Sequence, residues 1–163
     1  MSMERAKAWL ANFGLESRIQ EFTQSSATVE LAAQRLGTEP ARIAKTLSFL
    51  VDGNAILVVV AGDMKVDNTK YKATFHTKAK MLSQDQVEPM TGHMVGGVCP
   101  FGVNEGVRVY LDESLRRFST VFPAVGTAAS AIELTVSELE QVSGYKAWVD
   151  VCKPIFSANT VGR

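Results

Sequence analysis

Apolar positions recur at Ala6, Leu10 and Phe13, a helical spacing that closes at Gly14, where a left-handed C-terminal cap fits. A second helix is expected from a Thr28 cap through Leu36 to Gly37, and Pro40 opens a short third one with Lys45 at its exit. From Thr46 the period falls to two. Leu47, Phe49 and Val51 alternate, Asp52-Gly53-Asn54 supplies turn chemistry, and Ile56 to Val60 is apolar and largely β-branched, which together spell a hairpin.

Asp67 is placed to cap a helix through Phe75, and Ser83-Gln84-Asp85-Gln86 has capping-box spacing for another that stops near Gly92. Val107 to Leu111, Val121-Phe122, Ile132 to Leu134 and Trp148 to Val151 read as strands. A helical turn is expected around Ser114 to Arg117, and Thr135-Val136-Ser137-Glu138 opens a capped helix that Gly144 ends. Helices and strands are interspersed without a regular βαβ rhythm. The expected fold class is therefore α+β, with a mixed and mainly antiparallel sheet rather than a doubly wound parallel one.

Composition adds limits to this picture. With 163 residues, 46% of them hydrophobic, the chain fits one compact core, read as a single domain over 1–153 followed by a polar tail over 154–163. Lys plus Arg and Asp plus Glu both number 17, so the molecule as a whole has no field to hold a long duplex, and any nucleic-acid contact must be local. The apolar run from Ala55 to Gly62 is too short to span a bilayer, and the start of the chain lacks a signal-peptide core; no membrane association and a cytoplasmic location are expected. Cys99 and Cys152 give neither a disulfide framework nor zinc-site spacing, and both are expected reduced.

The most unusual local sequence is Gly96-Gly97-Val98-Cys99-Pro100-Phe101-Gly102. Three glycines and a proline within seven residues suit either a tight connection or a loop that aims amide N–H groups at an anion or a developing oxyanion. Lys45, before a buried strand, could direct its ammonium group into a cleft or simply face solvent. Lys65, Lys70, Lys72, Lys78 and Lys80, with His76 among them, form the one basic patch, suited to a few phosphates or to an ordinary solvated face. Cys99 with His93 admits a thiol-hydrolase reading, although no third member is placed by a motif. Neither His76 nor His93 has metal-ligand spacing, no phosphate-binding or dinucleotide fingerprint is present, and no cofactor is implied.

Five separated pieces, in order, resemble the YbaK/prolyl-tRNA-synthetase-associated domain family over about residues 25 to 151. They are Ala41-Arg42-Ile43-Ala44-Lys45-Thr46-Leu47, Ala61-Gly62-Asp63 with Asp67, Gly96 to Gly102, Leu111-Asp112-Glu113-Ser114-Leu115, and Ile132-Glu133-Leu134. The resemblance implies a barrel-like mixed sheet flanked by helices, and a free-standing deacylase that hydrolyses mischarged tRNA in trans. The implied substrate is proline tRNA carrying a small amino acid such as Ala, Cys or Ser; prolyl-tRNA synthetase is a further implied partner. Lys45 matches the family's functional lysine, which positions the terminal nucleotide and phosphates. Gly96, Gly97 and Pro100, with Gly102, match the loop that binds the aminoacyl carbonyl. Val98, Cys99 and Phe101 fall where they would line the pocket, beside Met94. An acid often stands near the pocket at the position of Asp112, which equally suits an N-cap. Of the loop before Ile132, which lacks the family's usual basic residue and second glycine, only Gly126 is carried over. Lys65, Lys70 and Lys72 are assigned to the tRNA. A non-catalytic module that binds tRNA or a synthetase is the alternative reading.

Overall fold

The computed structural model describes residues 2–24 and 28–155. Its centre is the expected hairpin. β2 (Ile43–Val51) and β3 (Asn54–Ala61) pair antiparallel from Ala44↔Ala61 to Val51↔Asn54, joined by Asp52 and Gly53 at positive φ, the turn whose twist matches the strands. β3 is buried throughout after its first residue. Leu57, Val59 and Ala61 face one core with Ala6 and Leu10, whereas Ile56, Val58 and Val60 face a second with Tyr71 and Phe49. Burial on both faces is why the run lacks polar alternation.

Around this hairpin the main sheet adds β5 (Arg108–Asp112), β6 (Thr120–Pro123), β8 (Leu134–Thr135) and β9 (Ala147–Val149), in the order β8-β6-β2-β3-β5-β9. It curls into a half-barrel flanked by helices. Two small antiparallel sheets complete it: β1 (Gln20–Glu21) with β7 (Ser130–Ala131), and β4 (Met64–Val66) with β10 (Cys152–Pro154). The β2–β3 and β6–β8 pairings are antiparallel, while β2–β6, β3–β5 and β5–β9 are parallel, so the sheet is mixed as expected.

The helices follow their end signals. α1 (Ser2–Ala11) buries Ala6 and Leu10, and α2 (Val29–Leu36) runs from the Thr28 cap, whose hydroxyl accepts from Leu31 N–H, to left-handed Gly37. Asp67 caps α3 (Asn68–Phe75), a capping box opens α4 (Gln84–Thr91), and α5 (Val136–Ser143) has the Thr135–Glu138 box.

Several local expectations change. Phe13 lies past α1 and is exposed, because the chain turns at Gly14. Strand β2 begins at Ile43 rather than Thr46, since Ile43 and Ala44 pair with Phe122 and Pro123; the third helix is only a 3-10 turn over Pro40–Arg42, and Lys45 lies inside β2. The expected strand over Ile132 to Leu134 is split, with Ile132 sunk in the core and Glu133 turned toward Arg42 and Thr120. The last strand stops at Val149, because Val151 N–H donates to the Asp112 carboxylate rather than to a ladder. Pro154, read as the start of the tail, pairs with Met64; the tail beyond 155 lies outside the described residues.

Candidate functional site

Strand β6 pairs with β2 only at Ile43 and Ala44 and then diverges. Farther along, Ser48 C=O accepts from Leu82 and Leu50 N–H donates to Lys80, closing the same edge again. Between those points the edge of β2 is open. Thr46 has the parity of Ser48 and Leu50, so its backbone groups point away from β3 into this gap.

A cleft of about 220 Å³ fills the opening. One wall is Lys45 and Thr46. A second is the face of α2 carrying Val29, Ala32 and Leu36, and a third comes from two loops, at Gly96 and Val98 and at Ala124, Thr127 and Ala128. Lys45 is half-buried, and among the described residues its ammonium has no hydrogen-bond or ion-pair partner. Burial lowers its pKa, opposed by the nearby Cys152 and by the carboxylates of Asp63 and Glu30. Asp63 is itself held in a bidentate pair with Arg117, at 2.6 and 3.0 Å, which draws its pKa down.

The two loops interlock. A Cβ on Gly97 would lie 2.2 Å from Gly126 O, and one on Gly126 would lie 2.4 Å from Ser2 O, so both positions need glycine for close approach. Ser130 Oγ accepts from Val125 N–H, and Thr127 Oγ1 accepts from Ala129 N–H, which fixes the second loop internally. On the first loop Gly97 N–H turns back to Met94 O, while the amides of Gly96 and Val98 donate to no described residue. Among the described residues, two unspent donors and an unpaired ammonium thus border one small, largely apolar space.

The sequence-derived residues do not all come together. Lys45, Gly96 and Val98 meet at the cleft. Gly97, Pro100 and Gly126 are buried behind it, shaping the loops, and Gly102 C=O accepts from Arg5 Nε at 3.0 Å. Cys99 and Phe101 are fully buried and point into the main core instead of the cleft, and Met94 is exposed and does not line it. Asp112 is also buried away from the cleft: its two oxygens accept from Val151 and Ser114 N–H, each at 2.9 Å, the N-cap alternative. Lys70 binds Asp150 and Cys152 O, so its charge is spent. Lys65 and Lys72 are exposed, Lys72 on a separate surface hollow with Lys78 and Lys65 opposite Lys153. The α2 face and Thr127–Ala128 were not singled out from the sequence, although Val29, Ala32 and Leu36 carry a helical stripe.

Cys99 Sγ does lie 3.6 Å from His93 Nε2. The pair is nonetheless unsuited to nucleophilic catalysis. Burial pushes the thiol up to about 12, Cys99 has no exposed surface, and His93 Nε2 is 2.6 Å from Phe101 O, a carbonyl to which it must donate. A ring nitrogen carrying that proton cannot accept one from the thiol.

The sequence profile of the aminoacyl-tRNA editing domain matches residues 23–142. The uncharacterized protein YwhH of Bacillus subtilis (strain 168) is 51% identical over 154 residues, covering 94% of this chain and 98% of that protein. Proline–tRNA ligase of Leuconostoc citreum (strain KM20) is 30% identical over 92 residues, 56% of this chain but only 16% of the ligase. A crystal structure of a candidate trans-editing enzyme for prolyl tRNA synthetase superposes with a TM-score of 0.84 at 29% identity, over 93% of this chain and 97% of that one.

Proposed function

The chain belongs to the aminoacyl-tRNA editing domain family, and from that premise we propose that it hydrolyses mischarged tRNA in trans, in the cytoplasm, beside prolyl-tRNA synthetase. The observation that carries this reading is the shared cleft of Lys45 with the unspent amides of Gly96 and Val98. The likeness to the candidate trans-editing structure extends over nearly the whole chain, whereas the match to the ligase is confined to a small part of that enzyme.

In this mechanism the Lys45 ammonium supplies the counter-charge for a phosphate of the acceptor end. A half-buried cation without a partner among the described residues is suited to that task. The Gly96 and Val98 amides donate to the ester carbonyl oxygen and hold it as it becomes an oxyanion. Water attacks the carbonyl carbon, the bond to the ribose oxygen breaks, and that oxygen leaves with a proton. An ester is activated enough that positioning and oxyanion stabilisation supply the needed barrier reduction. The cleft's volume favours a small aminoacyl group, as a second sieve requires when synthetase pockets separate one methylene by only about 1–3 kcal/mol.

The test is a panel of proline tRNA charged with labelled Ala, Cys, Ser or Pro, incubated with the protein and scored for ester hydrolysis. Selective loss of a mischarged species is expected. Binding with protection of every ester would instead establish the non-catalytic module.

A further inference from the structure

The candidate loop is bracketed from behind by one buried ring. His93 has no exposed surface, and its backbone is fixed at the end of α4 by its N–H donating to Thr91 Oγ1. Phe101 O can only accept, so the 2.6 Å contact puts the ring proton on Nε2. Nδ1 is then bare and accepts from the Ser2 hydroxyl at 2.8 Å. Ser2 Oγ in turn accepts from Met94 N–H at 3.2 Å. The result is a continuous chain: Met94 N–H to Ser2, Ser2 to His93, His93 to Phe101 O.

Met94 and Phe101 stand at the two ends of the segment containing Gly96, Gly97 and Val98. We propose that His93, through Ser2, is the positioning residue that clamps both ends of this segment and so holds the Gly96 and Val98 amides where the substrate carbonyl is bound. The inference rests on the deacylase reading for its catalytic consequence, but the clamp itself is a property of the unliganded protein. Glycines fold freely into many conformations, and Gly96 and Gly102 both sit at positive φ, so the segment needs an external restraint to keep one geometry. Burial supports the neutral ring that the chain requires, since it lowers the imidazole pKa. Ser2 comes from α1, outside the stretch that matches the editing-domain profile, and the same helix supplies Arg5 to Gly102 O and packs its backbone on Gly126. The N-terminal helix thereby acts as the back plate of the site.

Two substitutions separate the halves of the clamp. The amide nitrogen of a glutamine reaches the place of Nε2, so His93→Gln keeps a donor for Phe101 O; His93→Asn reaches only the Nδ1 position and loses it. Single-turnover deacylation at saturating enzyme is expected to fall about tenfold or more in both variants, each of which loses one half of the clamp, with tRNA affinity unchanged in both, as for misplaced oxyanion donors. Amide ¹H–¹⁵N spectra of the free proteins give the independent readout. The Gly102 signal is expected to hold in His93→Gln and to shift or broaden in His93→Asn, whereas Met94 to Gly97 are disturbed in His93→Gln, which lacks the Nδ1 acceptor for Ser2, as they are in Ser2→Ala, and hold in His93→Asn, whose side-chain oxygen takes the Nδ1 place. Equal spectra for the two His93 variants, or a rate loss that simply follows melting temperature in both, would overturn the clamp. If the parent protein hydrolyses no ester, the deacylase reading falls, and the spectra alone still decide the clamp.

Discussion

At the scale of single residues, burial decides which side chains can do chemistry. Cys99 is in the most unusual stretch of the sequence and touches His93, yet its thiol is inaccessible and held protonated. Native protein should therefore resist iodoacetamide at Cys99, as read by intact mass, and Cys99→Ala should keep its deacylation rate within a few-fold; rapid inactivation by the reagent would restore the thiol-hydrolase reading. His93 makes a second expectation. Burial lowers its pKa below the ordinary 6.5, so the unfolded chain takes up a proton more readily than the native one, and stability present above pH 6.5 is lost as pH falls through that value. The slope from one such group is at most about 1.4 kcal/mol per pH unit, and urea unfolding between pH 7 and 5 should show it shrinking in His93→Gln. The Cys99–His93 pair was legible in the sequence, but the His93–Ser2 bond was not: the two residues are 91 positions apart, and no local pattern announces their hydrogen bond.

At the scale of elements, local signals were reliable wherever backbone chemistry governs. Thr28, Asp67, Ser83 and Thr135 cap the helices they were expected to cap, and Asp52-Gly53 makes the hairpin turn. The two-residue pairings of β1 with β7 and the short β4 and β10 were not readable, because strands that short carry no period. Nor was the divergence of β6 from β2, which makes the cleft and depends on pairing between residues far apart in sequence. The interlocked loops supply a contrast between glycines. Gly53 has open space around its Cβ position, so Gly53→Ala should cost only the left-handed backbone penalty of about 1–2 kcal/mol. Gly97→Ala drives a methyl into the Gly126 carbonyl, and should cost over about 2 kcal/mol in urea unfolding and abolish most deacylation. Equal effects at the two positions would contradict the interlocked geometry.

At the scale of the whole molecule, charge is balanced and much of it is paired: Lys70 with Asp150, Arg117 with Asp63, Arg18 with Glu138 and Arg42 with Glu133. Lys65, Lys72 and Lys78 are exposed on and beside α3, and they rather than the net charge would meet tRNA phosphates. Contacts to two or three phosphates give a log–log salt dependence with slope about −1.4 to −2, so the tRNA Kd should weaken modestly with salt and Lys72→Glu should weaken it further without changing the saturated rate. Among the described residues no helix is long and apolar enough to cross a membrane, in keeping with the composition. The fold class and the pairing of Lys45 with the glycine loop were within reach of the sequence because five motif pieces occur in order; the buried destinations of Asp112, Cys99 and Phe101 were not, because a motif fixes position along the chain and not the direction of a side chain. The most direct measurement is single-turnover hydrolysis of the mischarged proline tRNA that the panel selects, at saturating enzyme, for the parent protein, Lys45→Ala and Lys72→Ala. A rate lowered at least about a hundredfold in Lys45→Ala and unchanged in Lys72→Ala is expected, as for loss of a positioned charge at the reacting end; an undiminished rate in Lys45→Ala would contradict the role given to that lysine.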